Sequence, residues 1–133
     1  MLPIILVAVL VVACSEPSPP ESPPTPLEKY RLQVRQNPGH ASAYYNLAVA
    51  YVQAGELAKG RVNFAKALDL DPNYALAHQG MGQLAHRANE LETAANHFEK
   101  ALNADSSLVL WHSSLGNIYL EQGKGEEALA VFE

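Results

Sequence analysis

The chain has 133 residues, enough for one small domain. Nine basic residues against fourteen acidic ones give a formal net charge of −5, and the acidic excess is spread along the chain as a solvated surface. That balance provides no basic face for nucleic acid. The single cysteine, Cys14, excludes an intrachain disulfide and any cysteine-based metal site.

Leu2 to Ala13 is apolar throughout, broken only by Pro3. A run of about a dozen residues is too short for a bilayer span, which needs roughly 20, but it suits the apolar core of a secretory signal. No Lys or Arg precedes it, although such signals usually open with one. The run ends in Val11-Val12-Ala13-Cys14. This resembles the lipobox of bacterial lipoproteins, which implies residues 1–13 as a signal peptide and Cys14 as the lipidated first residue of the mature chain. Stable anchoring would follow from more than one acyl chain, each buried methylene adding about 0.8 kcal/mol. Ser15 resembles the residue after the cysteine in outer-membrane lipoproteins of enteric-type bacteria. The resemblance thus implies a lipid-anchored protein of the cell envelope, on the periplasmic side of the outer membrane.

Residues 14–26 read as a lipidated cysteine and a proline-rich linker. Repeated proline excludes helix and sheet there, and an extended spacer at about 3.1 Å per residue would hold a folded unit roughly 30–40 Å from a membrane. A PxxP ligand for an aromatic groove is the alternative for this stretch.

From Leu27 the pattern becomes helical, with a leading helix expected over 27–40. Asn37-Pro38, Asp71-Pro72 and Asp105-Ser106 then recur at a spacing of 34, as do Phe64, Phe98 and Phe132, and Ala48, Gly82 and Gly116. Glu56-Leu57 returns as Glu90-Leu91, and Lys66-Ala67-Leu68 as Lys100-Ala101-Leu102. A fixed period of this length marks stacked helix pairs. Small residues at 48, 82 and 116 are expected to face Gly60, Ala94 and Ala128 across each pair. Leu47, Met81, Leu115 and the three phenylalanines are expected to fill the space between pairs. Gly55, Asn89 and Gly123 fall at turns that need the left-handed conformation. Pro38 and Pro72 suit a helix's first turn. Glu56, Glu90, Glu126 and Glu127 stand near second-helix starts, where they complement the helix dipole.

These residues resemble tetratricopeptide repeats, over 41–74, 75–108 and a truncated third unit at 109–133. The resemblance implies an all-α fold, a right-handed α-solenoid of antiparallel helix pairs in about two and a half units, preceded by the signal segment and linker. The pattern departs where Ala85 replaces tyrosine, Ser106 replaces proline, and Trp111 precedes the usual aromatic site, held here by His112. Glu133 falls inside a second helix, so the C-terminal face is expected to be apolar and exposed. The chain is expected to be part of a longer protein or to have a partner covering that end.

Sites of chemistry are sparse. His40, His78, His86, His97 and His112 make no helical zinc pair with an intervening Glu, and read as structural or surface histidines. Gly80-x-Gly82-x-x-Ala85 has the form of a dinucleotide fingerprint but follows no strand. Gly123-Lys124-Gly125 lacks the rest of a phosphate loop. Ser113-Ser114 has no base beside it. No catalytic residue, metal, cofactor or small-molecule substrate is expected.

What remains is surface. In the family it resembles, first helices line a concave groove. Here that places Ser42, Tyr45, Val49 and Val52 in the groove from the first unit. Leu76, Gln79, Gln83, His86 and Arg87 follow from the second, and Leu110, Ser113, Asn117, Leu120 and Glu121 from the third. The mixture of apolar and hydrogen-bonding groups suits a protein or peptide partner. Chaperone-binding members grip a terminal carboxylate with Lys, Arg and Asn. Those positions hold Tyr45, Val49, Gln79, Gln83 and Ser113, so that clamp is expected to be missing. The expectation is a membrane-anchored, non-enzymatic interaction scaffold, with envelope complex assembly as a setting by analogy. The alternatives are the recognition arm of a larger enzyme whose catalytic domain lies beyond residue 133, and a spacer with no ligand.

Overall fold

The first described helix, α1, spans Pro26–Gln36 and opens on a local hydrogen-bond pair. The Thr25 hydroxyl accepts from the Glu28 N–H at 3.3 Å, while the Thr25 N–H donates to the Glu28 carboxylate at 2.8 Å. This reciprocal cap satisfies two donors that a helix start otherwise leaves free. It also starts the helix one residue before Leu27. Pro26, placed in the linker by composition, occupies the first helical position, where its missing N–H costs nothing. The helix ends at Gln36, so 37–40 is a turn rather than helix.

The structure is a computed structural model describing residues 22–107 and 109–133. The signal segment, Cys14 and the greater part of the proline-rich stretch lie outside these residues. Six helices follow α1: α2 Ala41–Gln53, α3 Leu57–Leu70, α4 Ala75–Arg87, α5 Leu91–Ala104, α6 Val109–Glu121 and α7 Gly125–Phe132. There is no strand among the described residues. The main contacts join α2 to α3, α4 to α5 and α6 to α7, and α3 to α4 and α5 to α6 between the pairs. That is an α-solenoid of helix pairs, with α1 packed on α2.

The turns inside each pair hold Gly55 at φ 80°, Asn89 at 60° and Gly123 at 75°. Left-handed backbone is open to Gly, and to Asn at modest cost, which is why these residue types recur there. The prolines sit differently from expectation. Pro38 and Pro72 lie in turns that precede α2 and α4, not in the helices' first turns. The His40 N–H closes on the Asn37 carbonyl at 3.2 Å, and the Tyr74 N–H on the Asp71 carbonyl at 3.1 Å. Each proline is then the second residue of a four-residue turn, a position its fixed φ suits. The Asp71 carboxylate accepts from the Asn73 N–H at 3.0 Å, and Asp105 does the same for Ser107. Asp105-Ser106 therefore keeps the turn without a proline.

Two apolar clusters form the core. Ala48, Phe64, Ala67, Ala77 and Leu84 make one. Phe98, Trp111, Leu115 and Ile118, with Ala85 and Ala94, form the centre of the other. Trp111 stands where Ala43 and Ala77 stand in the earlier pairs, and it is buried. Small residues do meet across the first pair: a Cβ on Gly60 would lie 3.3 Å from the Ala48 carbonyl. In the later pairs the small residue of the first helix also meets an aromatic ring. A Cβ on Gly82 would lie 2.9 Å from two atoms of Phe98, and one on Gly116 would overlap the Phe132 ring, with Cε1 at 2.6 Å. The phenylalanines thus work inside pairs as well as between them, because a bare glycine backbone leaves room for the ring. At the C-terminal face Leu129 and Phe132 are 59% and 50% exposed. No described helix is long and apolar enough to cross a membrane.

Candidate peptide groove

The first helices of successive pairs, α2, α4 and α6, present the groove residues, and the structure gathers these into two cavities. The first lies between α2 and α4 and encloses about 110 Å³. Tyr45, Val49 and Val52 line it from α2, and Gln79, Gln83 and Arg87 from α4. These follow from helical geometry: 45, 49 and 52, and 79, 83 and 87, recur at three or four residues and so share one face.

Phe64 of α3 and Gly80 of α4 form the floor of this cavity. The ring reaches across from one pair to the next and rests on the glycine. A Cβ there would stand 2.7 Å from two ring atoms. Tyr45 packs against Phe64 with ring centroids 5.8 Å apart and edge-on to Tyr74 at 5.5 Å. Burial, and then the neighbouring Tyr74, push the Tyr45 phenol above its ordinary value, so it remains a neutral hydrogen-bonding group.

The second cavity, about 490 Å³ and more open to solvent, lies between α4 and α6. Gln83 and His86 line it from α4, and Asn117, Leu120 and Glu121 from α6, over Phe98. His86 Nε2 approaches the Glu121 carboxylate at 3.0 Å, tying the ends of the two helices together when the imidazole is protonated. Gln83 borders both cavities.

Four expected groove residues lie outside both cavities. Ser42, Leu76 and Leu110 share one repeat position in the first turn of their helices, and all three face solvent, Leu76 at 39% and Leu110 at 80% exposure. Ser113 is likewise exposed, and its neighbour Ser114 lines the second cavity instead. Gln53, Leu84, Ser114 and the rings of Phe64 and Phe98 complete the walls, none of them among the groove residues expected from the sequence. The rings carried a signal at the 34-residue spacing, but one read as core alone.

Away from the groove, an open cavity of about 680 Å³ lies beside Pro72, Asn73 and His78, with Lys100 and Asn103 of α5 opposite. Residue 78 is the one buried polar side chain of the described core. Its Nε2 lies 2.8 Å from the Pro72 carbonyl, and its Nδ1 lies 3.1 Å from Nδ1 of His97. A carbonyl only accepts, so Nε2 of His78 donates to it. No group of three or more metal-ligating side chains occurs among the described residues.

Two tetratricopeptide repeat models match the chain, over residues 41–74 and 80–133. No curated protein matches it by sequence. Among solved structures it resembles YrrB, described as a TPR protein with an unusual peptide-binding site, at TM-score 0.76 and 27% identity. That match covers 79% of this chain and 54% of the other. Two crystal structures of MamA match at TM-score 0.71, with 24% and 18% identity. Each covers 80% of this chain, and 58% and 62% of the MamA chains. The chain therefore spans little more than half the length of these structures. With matched models across both blocks of helix pairs and the same solenoid in solved neighbours, this chain belongs to the tetratricopeptide repeat family.

Proposed function

We propose that this chain is a non-catalytic interaction scaffold that takes a protein or peptide segment along the face of α2, α4 and α6. The observation that carries the reading is the cavity between α2 and α4. There an apolar floor is rimmed by the amides of Gln79 and Gln83 and the guanidinium of Arg87, a combination that suits a peptide. The described peptide site of YrrB supports the same use of a related solenoid. A pull-down from whole cells with the chain and its Tyr45→Ala and Gln83→Ala variants tests the reading. The expected result is specific partners lost with either substitution. Identical capture by all three would favour a spacer.

The lipobox-like Val11-Val12-Ala13-Cys14 further supports a scaffold held to the cell envelope by lipid on Cys14, on the periplasmic side of the outer membrane, with the proline-rich stretch as a tether. Assembly of an envelope complex is a fitting role for such a scaffold. Growth with a labelled fatty acid should mark the wild-type protein and leave Cys14→Ala unmarked and released from membranes. Equal labelling or equal fractionation of the two would remove the anchor from the account.

A further inference from the structure

Resting on the groove reading, we infer that the cavity between α2 and α4 selects an internal branched aliphatic side chain with an acidic residue one or two positions away in an extended peptide. Three features of the cavity set these requirements separately.

Size sets the first. The enclosed space is about 110 Å³. An apolar cavity of about 150 Å³ takes benzene, so this smaller, partly open one favours a branched aliphatic side chain over an indole. The floor sets the second. Phe64 is buried at 3% exposure beneath the opening, and Val49 and Val52 flank it, so the seated group trades water for apolar contact.

Charge sets the third. Among the described residues Arg87 is the only charged one lining the cavity, in a chain of net charge −5. Among the described residues the ion pairs are Lys59 with Glu56, Arg61 with Glu90 and His86 with Glu121, so Arg87 has no carboxylate within 4.0 Å. A guanidinium in that position pairs bidentately with a carboxylate. Gln79, Gln83 and Arg87 follow one another by a helical turn on α4, with amides first and the cation last. From Gln83 to Arg87 the helix rises roughly 6 Å, which an extended chain covers in about two residues. The amides then face the ligand's backbone while its carboxylate reaches Arg87. A single arginine makes no basic face for nucleic acid.

Selection of a random peptide display library against the full 133-residue chain tests this assignment, followed by fluorescence polarisation with C-terminally amidated versions of the selected peptides. The expected consensus is Leu, Ile or Val with Asp or Glu one or two residues away. Arg87→Glu should weaken binding of these peptides at least tenfold, and Arg87→Gln should do so by less. Val49→Trp, which fills the cavity, should abolish the aliphatic preference. Thermal melts by circular dichroism confirm folding, and Arg87, being exposed, keeps the test decisive if Val49→Trp does not fold. Peptides with another consensus that still lose binding with Tyr45→Ala would overturn this selectivity and leave the groove reading standing. So would binding that requires a free C-terminal carboxylate. Failure to select any peptide that the groove substitutions affect would remove both.

Discussion

The Phe64 ring of α3 rests directly on the backbone of Gly80 in α4, so the first two helix pairs are joined at a point where no side chain stands between ring and helix. Both residues also floor the cavity between α2 and α4. Packing between repeats and the shape of the candidate binding site are therefore set by the same contact.

Gly80→Ala places a methyl group 2.7 Å from ring atoms of a buried phenylalanine. Overpacking of this kind costs about 1–3 kcal/mol, while replacing a mid-helix glycine returns up to about 1 kcal/mol. The ring lines the neighbouring cavity and can yield toward it. A small net loss of stability is expected in urea melts, together with loss of any peptide binding at that cavity. Gly125→Ala is the contrasting case. A Cβ there meets nothing within 4 Å and the backbone is not left-handed, so stability should rise by about 0.4–1 kcal/mol. A destabilised Gly125→Ala would count against the start of α7 described above.

The three repeating phenylalanines should not be energetically equal. Phe64 and Phe98 are 3% and 2% exposed, whereas Phe132 is 50% exposed. Truncation of either buried ring to alanine should cost about 3–5 kcal/mol. Phe132→Ala in the same 133-residue chain should cost about half as much or less, since the ring already meets water. Chemical denaturation of the three variants gives the comparison, and equal losses would place Phe132 under cover that the structure does not provide.

Acid should loosen the second helix pair through His97. Burial, followed by the nearby His78, Lys100 and Arg61, pushes its pKa down from 6.5 to about 4. The unfolded chain then takes up this proton before the folded one does. The contribution to stability is complete above pH 6.5 and declines as pH falls toward 4. Screening by solvent around a half-buried ring reduces the effect to about 1–2 kcal/mol. His97→Asn, the residue that position 63 holds one repeat earlier, should flatten that part of the stability profile between pH 7.5 and 4.5. Parallel profiles for the two proteins would exclude His97 as the source.

Asn89 holds φ at 60°, where its counterparts are Gly55 and Gly123. Asn89→Ala forces a Cβ into left-handed backbone without the local hydrogen bonding open to asparagine, at a cost of about 1–2 kcal/mol. Asn89→Gly should be close to neutral. A thermal shift comparison separates the two, and equal behaviour would argue that the α4–α5 turn adopts another form in solution.

Much of this architecture is legible in the residues. The 34-residue spacing of phenylalanines, small residues and turn residues marks the helix pairs, because each hairpin needs the same kinds of residue at the same places to close. The groove was legible as a face but not as a site. Tyr45, Val49, Val52, Gln79, Gln83 and Arg87 share a cavity, while Ser42, Leu76 and Leu110 sit on the first turns of the same helices and border neither cavity. Spacing along a helix tells which side chains point the same way. It does not tell where two helices approach closely enough to enclose space.

Local chemistry fixed the helix pairs, the left-handed turns at 55, 89 and 123, and the cap that starts α1, all through interactions between residues a few positions apart. The solenoid alone decided that Phe64 crosses to Gly80, that Trp111 is buried where two earlier repeats have alanine, and that His78 meets His97. These contacts join residues sixteen or more positions apart or depend on a neighbouring pair, and the angle and distance between packed helices emerge only when the whole set of side chains is fitted together.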